Sequence, residues 1–338
     1  MNHPRQPLRL LLCAFAGATS VAFGADPGFQ IQQVFSNADG TVQFVLLRET
    51  AGQNGQDQFA GRTLTATHAG TTATFTFPAN LPTANTANRA VLIATQGYVT
   101  NSASVAEFHA VVPDYVIADR FLAAEGGTID FAGVDRVDFP PLPNDGFSAF
   151  YRGGATRDNA VSNFAGAAAT LPPIPVGAVE YYNAVLDHYF ISDLAPDLDA
   201  LDTGRFAGWS RTGKTFKVWP ISMGFLKDVC RFYIPPEHGN SHFFSASATE
   251  CATVSELAGT NPNYSGYVLE TSAVFSVALP DDKGACPYQW IPVYRLWNQR
   301  ADSNHRYTID PAVKSSMIAK GYVAEGYGND AVAMCSPL

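Results

Sequence analysis

The sequence predicts a mainly β protein of two domains. The first is an immunoglobulin-like antiparallel β-sandwich. The second is a closed repeat domain of pseudo-threefold symmetry, propeller-like or trefoil-like, with a short helix in each repeat. Three observations carry this. Short alternating runs fill the first half, one pattern of elements recurs three times in the second, and FAGAAATLPPIPVGA at 164–178 divides them.

The chain opens MNHPRQPLRLLLCAFAGATSVAFGADPG. Arg5 and Arg9 precede an apolar run, and Ala22 and Gly24 suit a cleavage site, so residues 1–24 read as a secretory signal peptide. The run is shorter than the roughly 20 apolar residues of a membrane span, and no later stretch is long enough. A secreted or periplasmic location is expected. Cleavage would remove two positive charges and no negative one, taking the formal charge from −9 to −11. That surface speaks against nucleic acid as a partner and against anionic membranes.

Residues 26–165 supply the sandwich. FQIQQVFS, TVQFVLLRE, RTLTATH, TATFTFP and RAVLIATQ alternate or are rich in β-branched and aromatic residues, and NADG and HAGTT are turn chemistry. The motifs FAGRTLT and FTFP resemble the lamin-tail-like β-sandwich of exported bacterial proteins, over roughly 29–140. Leu46 stands where that family has a Glu, so any role of that Glu is missing here. Residues 166–178 read as a linker or domain edge, with the prolines holding it extended.

Residues 179–338 repeat themselves over about 179–220, 229–280 and 293–337. VEYYN, CRFYI and YRLWN open the units. DHYFIS, SHFFSA and NHRYTI follow, then short helical stretches preceded by Ser or Asp, then runs opened by Gly and Trp209, Tyr267 or Tyr322. Glu270 and Glu325 fall three residues after the last two rings, and Thr212 after the first. These ordered features resemble a tandem-repeat family of unknown function in secreted bacterial and some fungal proteins, often attached to cell-wall hydrolases. The resemblance implies architecture and export rather than a reaction. The first unit departs most, with Glu180 in place of Arg.

The alignment sets His188, His242 and His305 at like places, along with Tyr182, Tyr233 and Trp297. Like residues in like units suit a structural keystone first and repeated ligand pockets second. A single catalytic His or a trihistidine metal site comes last. Glu270 and Glu325 suit ion pairs to Arg231 and Arg295. EHGNSH reads as a loop rather than a metal site, and Asp197, Asp199 and Asp202 as an acidic helix start rather than a calcium loop. No nucleophile motif, phosphate loop or dinucleotide fingerprint is present, and no cofactor, metal or catalytic residue is assigned.

Once Cys13 is removed, Cys230, Cys251, Cys286 and Cys335 remain. Three pairings are open, and Cys230–Cys251 with Cys286–Cys335 is expected, tying a strand to its helix and the third unit's entry to its closing strand. The function expected is an exported, non-catalytic binding or adhesion module for glycan, cell wall or an extracellular protein. The alternatives are an envelope glycan hydrolase with unidentified carboxylates and a plain scaffold.

Overall fold

The computed structural model describes residues 28–338, so the expected signal peptide at 1–24 lies outside the described residues. The described chain is 39 % strand and 15 % helix, in several sheets of which none closes into a barrel.

The first half is a sandwich. A six-stranded sheet runs in the order Thr156–Asp158, Ser148–Tyr151, Phe29–Ser36, Gln43–Glu49, Ala90–Thr95, Tyr115–Ile117. A four-stranded sheet of Thr71–Thr76, Thr63–His68, Gly127–Phe131 and Asp135–Phe139 lies on one of its faces. Phe59 is the hub between them, its ring 5.2 Å from each of Phe29, Phe77 and Phe131.

The expectation of an all-antiparallel sandwich is corrected at one edge. Ala90–Thr95 and Tyr115–Ile117 pair in parallel. Parallel neighbours need a crossover, which the helices Gln96–Asn101 and Ala106–Ala110 supply. These helices, with Leu171, cover the second face of the larger sheet. Leu46 packs there, and every residue of Ala90–Thr95 is buried. A strand covered on both faces is apolar throughout rather than alternating.

The stretch 166–178 is paired and packed against the first half. Ala168–Ala169 pairs with Val161–Ser162, and the N–H of the buried Leu171 donates to Asn159 Oδ1 at 2.7 Å. Val176 already belongs to the next strand, Val176–Asn183.

The second half holds three successive units of like element order. The first is Val176–Asn183, His188–Ser192, the helix Ala195–Asp202 and Trp209–Val218. The second is Cys230–Ile234, Ser241–Ser245, the helix Ala248–Thr260 and Val268–Thr271, with Lys227–Asp228 paired to Ser276–Val277. The third is Trp290–Trp297, His305–Thr308, the helix Pro311–Ala319, Val323–Glu325 and Val332–Pro337. The closing run of the first unit is a single strand, with only a register shift opposite Val179 and Tyr181. Tyr181, Phe190, Phe244, Phe275, Val293, Tyr307 and Met334 pool into one core shared by all three units.

Both expected disulfides are present, Cys230–Cys251 and Cys286–Cys335. The two halves of the chain meet at the NADG turn, where Ala195 N–H donates to Ala38 O at 2.7 Å and Arg120 approaches Asp199 and Asp202 at 3.6 and 3.4 Å. Gly40 carries that turn at φ 72°, and a Cβ there would meet Arg120 at 3.1 Å. Among the described residues no helix is long and apolar enough to cross a membrane.

Candidate functional site: two clefts and a closed seam

The strand registers decide which residues are equivalent. Tyr233 pairs with His242, and Trp297 with His305. In the first unit Tyr182 pairs with Tyr189, and His188 sits opposite Asn183. The expected threefold set of histidines is therefore corrected: Tyr189 is the counterpart of His242 and His305. His188 takes the place of Ser241 and Asn304, fully buried, with Nε2 3.4 Å from Asp302 Oδ2 and Nδ1 without a partner. The hydroxyls confirm this register. Ser192, Ser245 and Thr308 each accept from the N–H two residues on, just before the helix. Ser192 and Ser245 also donate to the helix carboxylates Asp197 and Glu250, each five residues later.

Between the first and second units lies a cleft of about 410 Å³, lined by Phe190, Trp209, Tyr233, His242, Arg231 and Glu270 among others. Between the second and third lies its counterpart, about 570 Å³, with Phe243, Tyr267, Trp297, His305 and Glu325 at the matching places.

At the floor of each, one arginine joins two carboxylates and a histidine faces one of them. Arg231 reaches Asp197 at 2.5 Å and Glu270 at 2.8 Å, and His242 Nε2 lies 3.3 Å from Glu270. Arg295 holds Glu250 by two bonds of 2.7 and 2.8 Å and Glu325 at 2.9 Å, and His305 Nε2 lies 3.3 Å from Glu325. The guanidinium groups lie over rings of the preceding unit, Arg231 over Phe190 and Arg295 over Phe243.

The arginines are well buried, whereas the side chains of Glu270 and Glu325 keep 32 % and 30 % exposure toward the clefts. Burial pushes both carboxyls up, but bonds to His242 and Arg231, and to His305 and Arg295, outweigh it and hold them below the usual range. Burial pushes His305 down, against the pull of its bond to Glu325.

The third junction, from the third unit back to the first, exchanges the roles. Glu180 stands where Arg231 and Arg295 stand, and Arg306 replaces the rings of Phe190 and Phe243. Arg306 holds Glu180 by two bonds of 2.8 and 2.9 Å, and Thr212 donates to the same carboxylate at 2.7 Å. The cation now lies over Tyr189, 4.1 Å from its centroid. Glu180 is 2 % exposed, and Met317 and Tyr322 are buried in the cluster that packs against Tyr189. Tyr182 turns to Asp187 and to the ring of Tyr189. This seam is packed shut.

Of the residues expected from sequence, the first cleft gathers Trp209, Tyr233, His242 and Glu270, and the second Tyr267, Trp297, His305 and Glu325. Tyr182 and Tyr322 fall at the closed seam. Sequence reasoning missed Asp197 and Glu250 as partners of Arg231 and Arg295, although their shared spacing from Ser192 and Ser245 signals it. Among the described residues no group of three His, Cys, Asp or Glu is placed to hold a metal. Asp197, Asp199 and Asp202 instead face Arg231, Arg120 and Arg211.

No curated protein and no solved structure matches the chain. Residues 180–332, which contain both clefts and the seam, match the model of a family described as Domain of unknown function (DUF5648).

Proposed function

We propose that this chain is an exported, non-catalytic binding module whose two inter-unit clefts each take sugar residues of an envelope or extracellular glycan. The observation that carries the reading is the duplication. Two clefts place two or more aromatic rings around an arginine–carboxylate–histidine hub, with matching distances. A sugar presents an apolar C–H face to a ring and hydroxyls to carboxylates and guanidinium groups, so this composition suits it.

The carboxylates favour binding over hydrolysis. A glycosidase acid needs a raised pKa to stay protonated, and Glu250, Glu270 and Glu325 are all held low. The rest of the reading goes with this: a cleaved signal peptide, a lamin-tail-like sandwich as carrier, and a pseudo-threefold ring of repeats in which one seam is sealed. A ring open at two of three seams would grip two sugars of one chain or of two.

The test is retention of the oxidised mature protein on insoluble cell-wall and polysaccharide preparations, with released sugar measured in the same tubes. Retention without release is the expected result. Release would turn the reading to a hydrolase, and neither retention nor release would end the glycan reading.

A further inference from the structure

The two clefts are alike on their floors and differ at their rims. In the first, both carboxylates, Asp197 and Glu270, are tied to Arg231. The second has an additional wall from the second unit, the turn Pro236–His238 and the segment Pro262–Tyr264. This wall brings Glu237, whose carboxylate has no hydrogen bond or ion pair among the described residues. Beside it stand three rings at steep angles. Tyr264 lies 5.2 Å from Tyr267 at 52°, and His238 lies 5.8 Å from Tyr267 at 58°. Trp297 faces them from the third unit.

The other charges at this cleft are already committed. Arg295 serves Glu250 and Glu325, and Arg300 serves Asp187 and Asp302. Two guanidinium groups thus face five carboxylates, and the one with no cation is at the ringed end. His305, nine-tenths buried in the wall of the same cleft, also leaves Nδ1 without a partner.

The wall is held in place. His238 O accepts from Ser303 N–H at 2.9 Å, and Gly239, at φ 133°, lies so close to Asp302 and Ser303 that a Cβ would be 2.7 Å from their backbone. At Gly266, φ 80°, a Cβ would meet the side chains of Pro235 and Glu237 at 3.0 and 3.2 Å. A carboxylate beside several π-faces attracts a cation and has nothing to offer an anion.

We infer that the cleft between the second and third units is an ammonium site, in which Glu237 and the rings of Tyr264, Tyr267 and Trp297 take the free amino group of a de-N-acetylated amino sugar. This deepens the glycan reading and rests on it for the identity of the ligand. The first cleft lacks the free carboxylate and takes neutral sugars.

The test is calorimetric titration of the full chain at about pH 5.5, below the titration range of such amines. The probes are a glucosamine oligosaccharide and its fully N-acetylated counterpart of the same length. The glucosamine form is expected to bind about tenfold more tightly, equivalent to about 1.4 kcal/mol. Glu237→Gln should bring the two affinities together, and Tyr264→Leu should narrow them, with thermal unfolding of both variants like that of the parent. Equal affinities in the parent, or a preference that survives Glu237→Gln, would overturn the inference. If neither oligosaccharide binds, the glycan reading fails, and tetramethylammonium then decides the site. Binding that disappears in Glu237→Gln upholds an ammonium site, and no binding overturns it.

Discussion

The open clefts and the closed seam are built from the same strand positions and the same kinds of group, yet they differ in which unit supplies the cation. At the clefts the arginine comes from the following unit and the acid from the preceding helix, leaving Glu270 and Glu325 facing solvent. At the seam the arginine comes from the preceding unit, and the acid, Glu180, is the buried member. An ion pair whose acid is wet leaves room for a ligand. One whose acid is sealed beneath a guanidinium serves the fold. The difference teaches that the first unit, which lends Phe190, Asp197 and Trp209 to one open cleft, carries on its other side a buried acid that seals its junction with the third.

The strongest way to break this comparison is at the seam. Arg306→Ala would strand Glu180 in a site 2 % exposed, and a loss of about 3–5 kcal/mol in denaturant unfolding is expected. Adding Glu180→Leu should recover most of it, because the uncompensated charge is then gone. Equal losses in the single and double variants would show that packing rather than charge closes the seam.

The next effect has the opposite sign. Asp193 follows Ser192, at the place where the other units carry Ala246 and Ile309. It is fully buried, and neither carboxyl oxygen has a partner from another residue. Burial pushes it up to about 8, Asp39 and Asp197 add to this, and Arg231 opposes it. Between the ordinary carboxylate value of 3.8 and about 8, the folded protein holds a proton that the unfolded chain releases. Stability from this site is therefore fully present below that range and lost as pH rises through it. Asp193→Ala should raise stability by about 1–3 kcal/mol at pH 8 and by much less at pH 5, read from unfolding at the two pH values.

A smaller effect sharpens the contrast from the other side. Glu270→Gln in the open cleft should cost only about 1 kcal/mol, since the side chain is 32 % exposed and water replaces part of what is lost. A cost as large as that of Arg306→Ala would make the cleft hubs structural and remove the distinction.

Much of this was legible before the structure. The repeated Gly–aromatic pairs marked the closing strands, and the four cysteines fell where they pair. The place of His188 is not legible from the histidine letters, because like letters do not occupy like strand positions in the first unit. The loop after Asn183 is shorter, and Asp187 turns at φ 55° before the second strand begins, so the register slips by one. Aligning instead on Ser192, Ser245 and Thr308, whose hydroxyls bond the chain entering each helix, gives Tyr189 directly. The cleft walls at Glu237 and Tyr264 lie in the least repetitive segment, where no internal comparison could point to them. The parallel edge of the sandwich does carry a sequence signal: AVLIAT is five apolar residues and a Thr with no alternation, as a strand covered on both faces requires.

The most direct test of the central claim, two binding clefts and one sealed seam, is calorimetric titration of a retained oligosaccharide into the parent protein, Trp209→Ala with Trp297→Ala, and Tyr182→Ala. Two sites in the parent, none in the double variant and two in Tyr182→Ala would agree with the account. Binding that survives loss of both tryptophans, or that is lost with Tyr182, would contradict it.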